Sequence, residues 1–155
     1  KSLLEKKADL EAKDDDGNTP LGNASRKGHK DAIKCLIAAK ANLESENEDG
    51  NTPLAGASLN DKTDAIKCLI AAKANLESKD DNGYTPLGVA SYHGKTDAIK
   101  CLIAAKANLE SKNISGYTPL GVASWKGHKD AIKCLIAAKA NLESKDDNGY
   151  TPLGV

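Results

Sequence analysis

The sequence predicts an all-α solenoid, in which short helix–turn–helix units stack side by side. The first observation is a period: Thr-Pro-Leu recurs every 33 residues, starting at Thr19, Thr52, Thr85, Thr118 and Thr151. The second is an identical block, DAIKCLIAAKANLES, which occupies residues 31–45, 64–78, 97–111 and 130–144. A fixed period of this length is typical of stacked units that cannot bury their apolar faces alone.

Each unit is predicted to begin with a tight turn and a short first helix, as residues 80–112 illustrate. A run of turn-forming residues ends at Gly83, which is able to adopt a positive φ. Thr85 then caps a helix whose first-turn residue is Pro86, a position with no backbone hydrogen bond to lose. We expect this helix to end near Gly94.

The second helix of the same unit is expected to start around Asp97 and to run to about Ala105. Its apolar residues occupy most of its circumference, which suits a helix that packs against its own partner and against both neighbouring units. One unit departs from the pattern at the turn between the helices. Asp61 stands there in place of a glycine such as Gly94, and it should strain or reshape that turn slightly.

The units resemble the ankyrin repeat, because they combine the 33-residue spacing with the head sequence Asp/Asn-x-x-Gly-x-Thr-Pro-Leu. The resemblance implies one continuous array over residues 1–155, with turn tips that project to one side. Its expected parts are a partial repeat (1–13), four full repeats (14–46, 47–79, 80–112 and 113–145) and the start of a further repeat (146–155).

Two departures from the family pattern should weaken local structure. Glycine, as in Gly88, follows Thr-Pro-Leu where the family usually has histidine, and glycine inside a helix costs roughly 0.5–1 kcal/mol relative to alanine. Lysine, as in Lys106, follows each second helix where the family favours glycine in a left-handed conformation. Stability is therefore expected to come from stacking more than from local propensity.

The composition argues against several classes of partner. The chain carries 22 basic and 22 acidic side chains, so no excess charge favours nucleic acid or an anionic membrane surface. Its longest apolar run is far shorter than a membrane span, and its start does not resemble a signal peptide. The predicted partner is a protein of unknown identity, with no nucleic acid and no membrane.

Each full unit carries one cysteine at the same place: Cys35, Cys68, Cys101 and Cys134. Equivalent helices in a stack lie roughly 8–10 Å apart, beyond the Cα separation of ~7 Å that limits a disulfide. We therefore expect four free thiols, buried in apolar surroundings and unreactive until the array unfolds. Free thiols in this number are typical of a reducing compartment, so a cytoplasmic location is expected.

No catalytic arrangement is recognisable in the sequence. There is no Cys-x-x-Cys motif. A nucleophile, a base and an orienting group cannot be assembled from residues that repeat identically in every unit. The chain is therefore expected not to be an enzyme, and to need neither a cofactor nor a metal.

The candidate binding residues are those that vary between units. The second helices are copies, whereas the turns, the residue before Thr-Pro-Leu and the end of the first helix differ. The ankyrin resemblance implies contact with partners through these turn tips and the concave face. All the aromatic residues lie at such places, and Tyr and Trp are enriched in binding hot spots. The predicted partner-binding residues are Arg26, Leu59, Tyr84, Tyr92, His93, Ile114, Tyr117, Trp125, Lys126 and Tyr150.

Several alternatives stay open from the sequence. Identical blocks also suit an architectural spacer or an engineered scaffold without a natural ligand, and a regulatory segment of a larger protein is a further interpretation. In an architectural role, the turn tyrosines would stack on one another and brace the array; these are Tyr84, Tyr117 and Tyr150. Because both ends of the chain match incomplete repeats, weak end-to-end self-association is also expected.

Overall fold

A computed structural model describes residues 10–154, and these residues form four pairs of helices. The first helices of the pairs are α1 (Pro20–Lys27), α3 (Pro53–Leu59), α5 (Pro86–Tyr92) and α7 (Pro119–Lys126). The second helices are α2 (Lys30–Ala38), α4 (Thr63–Ala71), α6 (Thr96–Ala104) and α8 (Lys129–Ala137). Each pair packs internally, and each helix contacts its equivalent in the next pair. The predicted all-α solenoid is confirmed.

The sequence also predicts incomplete repeats at residues 1–13 and 146–155. Most of the leading partial repeat lies at residues 1–9, which are outside the described residues, as is Val155. At the last Thr-Pro-Leu the chain forms a turn, in which Thr151 donates to the carbonyl of Gly154 from its N–H (3.0 Å) and from its hydroxyl (2.6 Å).

The first helices begin at the threonine, as predicted. The side-chain oxygen of Thr85 accepts a hydrogen bond from the N–H of Gly88 at 3.1 Å, and proline follows at the first helical position. The other three units repeat this cap, with distances of 3.1–3.3 Å. A threonine cap satisfies a backbone donor that has no partner within the helix. It also fixes the direction from which the preceding turn enters the helix.

The helix ends lie close to their predicted positions. Helix α5 ends at Tyr92, and Gly94 follows in the left-handed region with φ of 66°. Asp61 adopts the same conformation with φ of 58°, where an L residue is strained. Its Oδ1 compensates, because it accepts the N–H of Ala98 at 2.8 Å in the first turn of α6. The unusual residue thus caps a helix of the next unit.

Lysine occupies the left-handed position after every second helix. The N–H groups of Lys106 and Ala107 donate to the carbonyls of Ile103 and Leu102 at 2.9 and 3.0 Å, and so close the end of α6. The φ values lie between 71° and 75° for Lys40, Lys73, Lys106 and Lys139. Backbone closure therefore imposes a conformation that the lysine side chain disfavours.

The core is aliphatic. The leucine of each of the first four Thr-Pro-Leu motifs is at most 1% exposed, and in α6 Ile99 and Leu102 are fully buried. Ala90 of α5 and Ala98 of α6 belong to the same buried cluster. Among the described residues no aromatic side chain belongs to this buried cluster. The rings of the protein are therefore left for its surface.

The prediction of a buried thiol ladder is wrong. Cys35 is exposed, and Cys68, Cys101 and Cys134 are only partly buried, although all four are free. The buried stripe of α6 consists of Ala98, Ile99 and Leu102, and Cys101 lies at the edge of that stripe. The reason is geometric: the neighbouring second helices contact each helix along its flanks and leave its outer side open to solvent.

Hydrogen bonds between units hold the turns in register. The N–H of Asp81 donates to the carbonyl of Asp49 at 3.2 Å, and that of Ile114 to the carbonyl of Asn82 at 3.1 Å. At the other end of the unit, the carboxylate of Glu77 accepts the N–H of Asn108 at 2.9 Å. Similar bonds recur along the array. The variable turn residues are therefore presented at a regular spacing.

Candidate functional site

Two neighbouring units place four aromatic side chains on the same side of the array. Tyr84 and Tyr117 precede the capping threonines, whereas Tyr92 and Trp125 lie in the last turn of α5 and of α7. The threonine cap folds the turn back against the helix start, and each helix is only seven or eight residues long. The residue before the cap and the residue eight positions later therefore meet.

The four rings form one cluster, named here the aromatic cluster. Within units, Tyr84 and Tyr92 are 5.7 Å apart between ring centroids at 67°, and Tyr117 stacks on Trp125 at 5.7 Å and 9°. Between units, Tyr92 and Trp125 are 6.4 Å apart at 63°. These separations are typical of favourable edge-to-face and stacked pairs. Trp125 is nevertheless 61% exposed, so the cluster presents an aromatic surface to solvent.

This pairing differs from a tyrosine stack along the turns. Tyr84 and Tyr117 each pair with the ring at the end of their own first helix, and the link between the two units is made by Tyr92 and Trp125. Tyr150 is 53% exposed at the last turn. The contact between the two units is therefore made at the ends of their first helices and not between the tyrosines of the turns.

Two cationic or titratable side chains border the aromatic cluster. The Nζ atom of Lys126 lies 4.8 Å from the centroid of the Tyr92 ring and 5.2 Å from that of Trp125. The His93 ring lies 4.8 Å from the Tyr92 ring. Burial lowers the pKa of His93, and the nearby positive charges, first that of Lys95, lower it further. The lowered pKa of His93 favours its neutral form, and the ammonium group of Lys126 lies directly over the rings.

The aromatic cluster borders an open groove of about 580 Å³ between the turns and the first helices, named here the central groove. Seven of the ten predicted binding residues line it: Leu59, Tyr84, Tyr92, His93, Ile114, Tyr117 and Trp125. Ile114 is 70% exposed at the turn tip. The variable positions of three consecutive units therefore converge on a single surface.

The remaining predicted residues lie beside the central groove. Lys126 covers part of the Tyr92 and Trp125 rings. Arg26 lines an adjoining groove that shares Leu59, and the stem of Arg26 lies close to the Cα of Gly56, where a methyl group would meet it at 2.8 Å. Tyr150 lines a third groove beyond Tyr117 and Trp125. The ten residues thus form one face, with the aromatic cluster near its C-terminal half.

Sequence reasoning missed the turn side of the central groove, which is acidic. Asp49, Asp80 and Asp81 line it and are named here the acidic wall. Oδ1 of Asp80 accepts the N–H groups of Asn82 and Tyr84, both at 2.9 Å. Burial raises the pKa of Asp80, and the carboxylates of Asp81 and Asp49 add to the rise. The sequence places Asp49 and Asp81 in variable turns that are expected to contact a partner, but the convergence of the three carboxylates appears only when units stack.

A positioning residue was also missed. Nε2 of His128 lies 2.8 Å from the carbonyl oxygen of Tyr92, to which it donates a hydrogen bond, and the His128 ring packs against Gly94. The start of α8 thereby holds the end of α5. The sequence signal is the place itself: the resemblance to the ankyrin repeat implies a structural histidine after the turn glycine, where His29 and His128 stand and where Lys62 and Lys95 replace it.

Within residues 10–154, no three His, Cys, Asp or Glu side chains come together in a way that suits a metal ion. In the same range, none of the helices combines the length and the hydropathy required to cross a bilayer.

A family model described as Ankyrin repeats (3 copies) matches residues 1–80 and 55–146. Curated protein sequences give no significant match to the chain.

Proposed function

Because the chain belongs to the ankyrin-repeat family, whose members are generally protein-interaction modules, we propose that it binds a protein partner through its concave face and turn tips. The centre of the binding surface is the aromatic cluster on the central groove. Arg26 and Tyr150 extend this surface towards the two ends of the array. The activity proposed is recognition, without a catalytic step or a cofactor.

One observation carries this proposal: the aromatic rings are excluded from the core and gathered on one exposed surface. A fully buried aliphatic core leaves the stability of the fold to Leu, Ile and Ala. Trp125, 61% exposed, and Ile114, 70% exposed, face solvent beside the partly buried rings of Tyr84 and Tyr117. Rigid amphipathic rings provide contact area at a low conformational cost, because they have few rotatable bonds.

The test is a variant in which Tyr84, Tyr92, Tyr117 and Trp125 are replaced by alanine. The partner is recovered by affinity enrichment on the native chain, purified, and titrated against both proteins. We expect an unchanged helical signal by circular dichroism and at least a roughly tenfold loss of affinity, about 1.4 kcal/mol. A control variant, Ile136→Ala with Leu142→Ala, removes exposed apolar side chains outside the central groove. It should bind like the native chain.

An architectural role is the second candidate, and one contact favours it. The Tyr92 and Trp125 rings join neighbouring units at 6.4 Å, and such a pair is worth roughly 0.5–1.5 kcal/mol beyond the area that it buries. If bracing is the main role, the quadruple alanine variant will unfold at much lower urea concentration than the control. If recognition is the main role, it will fold and lose the partner.

A further inference from the structure

The central groove carries an excess of negative charge, although the whole chain has a formal net charge of zero. The whole sequence balances 22 basic against 22 acidic side chains. The central groove, by contrast, is lined by the three carboxylates of the acidic wall and by no lysine or arginine. Both charged groups that act on Asp80 are carboxylates, Asp81 and Asp49. Negative charge is therefore concentrated here without a cation from the groove lining.

The same side of the groove also holds an acceptor without a donor. In the preceding pair of units, Nδ2 of Asn47 donates to Oδ1 of Asn18 at 3.2 Å. One unit later the corresponding residues are Asp80 and Asn51, and a carboxylate has no proton to donate. Oδ1 of Asn51 is accordingly buried and has no hydrogen-bond partner among the described residues. Because this oxygen is shielded from solvent, the N–H donors of a ligand would instead meet the exposed carboxylates of Asp49 and Asp81.

The aromatic cluster already contacts a cation of the protein itself. Lys126 extends from the end of α7 so that its Nζ lies over the Tyr92 and Trp125 rings, at 4.8 and 5.2 Å. A ring face attracts positive charge through its quadrupole. Lys126 approaches from outside the groove lining, and the rings of Tyr84 and Tyr117 remain on the groove side.

We propose that the central groove binds an arginine side chain of the protein partner, between the acidic wall and the aromatic cluster. This inference rests on the proposed function and specifies the chemistry of the partner. Arginine fits both sides, because its planar guanidinium stacks on aromatic rings and directs five N–H donors at surrounding oxygens. Lysine offers a more strongly hydrated point charge and no plane to stack. Lys126 acts as an internal competitor for the rings.

The experiment uses a phage-displayed library of random dodecapeptides as the probe. Selection on the native chain follows depletion on the quadruple alanine variant of the aromatic cluster, so that only peptides that need the cluster are retained. We expect one position of the retained peptides to be enriched in arginine. Replacing that arginine with citrulline, which keeps the shape and removes the charge, should weaken binding roughly tenfold. Replacing it with lysine should also weaken binding.

The acidic wall is tested by Asp80→Asn combined with Asp81→Ala. Asparagine preserves the turn, because Asn47 and Asn113 accept the equivalent N–H groups in their own units at 2.9–3.0 Å. The matched control is Asp14→Asn with Asp15→Ala, the same substitutions at the equivalent positions two units away. We expect roughly tenfold weaker peptide binding for the first variant and unchanged binding for the control.

The competitor is tested by Lys126→Ala, with Lys27→Ala as the matched control at the same helix position three units earlier. Lys126→Ala should tighten binding of the arginine peptides several-fold, because it removes both the competitor and a like charge. Lys27→Ala should leave binding unchanged. Equal or weaker binding by Lys126→Ala contradicts the assignment of Lys126.

The outcomes separate the two proposals. Three results would overturn the arginine inference alone. The peptides that require the aromatic cluster could show no enriched arginine, they could bind equally well with lysine in its place, or they could bind the Asp80 and Asp81 variant unchanged. The proposal that the concave face binds a protein partner would then be unaffected. A library that yields no cluster-dependent peptide would contradict both proposals.

Discussion

At the scale of single residues, identical sequence does not give identical surroundings. Cys35 and Cys101 lie at the same place in copies of one block, yet Cys35 is exposed and Cys101 is partly buried. Burial raises the pKa of the Cys101 thiol, so a smaller fraction of it is thiolate at any given pH. We expect Cys35 to react fastest with a small maleimide at neutral pH and Cys101 more slowly, as measured by peptide mass spectrometry.

The control for this prediction is the same reaction in concentrated urea. There the four cysteines should react at nearly one rate, because the residues around them are the same in sequence. Equal rates in native buffer would contradict the difference in burial.

A second residue-scale prediction concerns the strained lysine after α6. Lys106 has φ of 71°, which glycine adopts without the Cβ clash that an L residue meets. Lys106→Gly should raise the free energy of unfolding by roughly 0.5–1 kcal/mol, since the relieved strain exceeds the added entropy of the unfolded chain. Lys100→Gly, within α6, is the matched control and should lower it by roughly the same amount. Urea titration followed by circular dichroism measures both, and a loss of stability in Lys106→Gly would contradict the argument.

At the scale of helices, the most specific contact is the cap that one unit gives to the next. Oδ1 of Asp61 accepts the N–H of Ala98 at 2.8 Å. Asp61→Ala removes this acceptor and retains the left-handed strain, so we expect a loss of about 1 kcal/mol in the free energy of unfolding. Asp61→Asn keeps an acceptor and tolerates the left-handed conformation, so it should be nearly neutral. If both variants lose equal stability, the hydrogen bond is not what stabilises α6.

The helices were largely predictable from the sequence because their signals are local. Thr85, Pro86 and Gly94 mark the start and end of α5, and the observed bounds of α6 differ from the prediction by one residue at each end. Burial of Cys101 was not predictable in the same way. Helical periodicity places it among apolar neighbours, but only the contacts between stacked helices decide which arc of α6 is covered.

At the scale of the whole molecule, the predictable part of the candidate site is the part that follows the repeat register. Tyr92 and Trp125 occupy equivalent positions, so stacking of the units brings them to one surface, as expected. The acidic wall could not be predicted from the repeat register alone. Asp49 belongs to one unit and Asp80 to the next, and each has a local reason to be in a turn. Their shared charge becomes a property of the molecule only when the turns of neighbouring units are hydrogen-bonded in register.

Apolar side chains are exposed on the part of the array that follows α8. Leu153 is 63% exposed, whereas Leu120, its equivalent one unit earlier, is fully buried in the core cluster. Leu142 and Tyr150 are also exposed on this side, at 37% and 53%. Exposed apolar side chains that lie together favour contact with a second copy of the chain. We therefore expect weak end-to-end self-association, seen as an average mass that rises with concentration in sedimentation velocity experiments.

The association should disappear when Leu142 and Leu153 are replaced by glutamate, because a charge at either position would have to be buried without a partner. Ile114→Glu is the control: Ile114 is 70% exposed, but it lies at a turn tip that lines the central groove. It should associate like the native chain if the ends make the contact. A native protein that stays monomeric at all concentrations would refute end-to-end contact, and loss of association in Ile114→Glu alone would place the contact on the concave face. The experiment therefore also tests whether the surface proposed for a partner is free in solution or is occupied by a second copy of the chain.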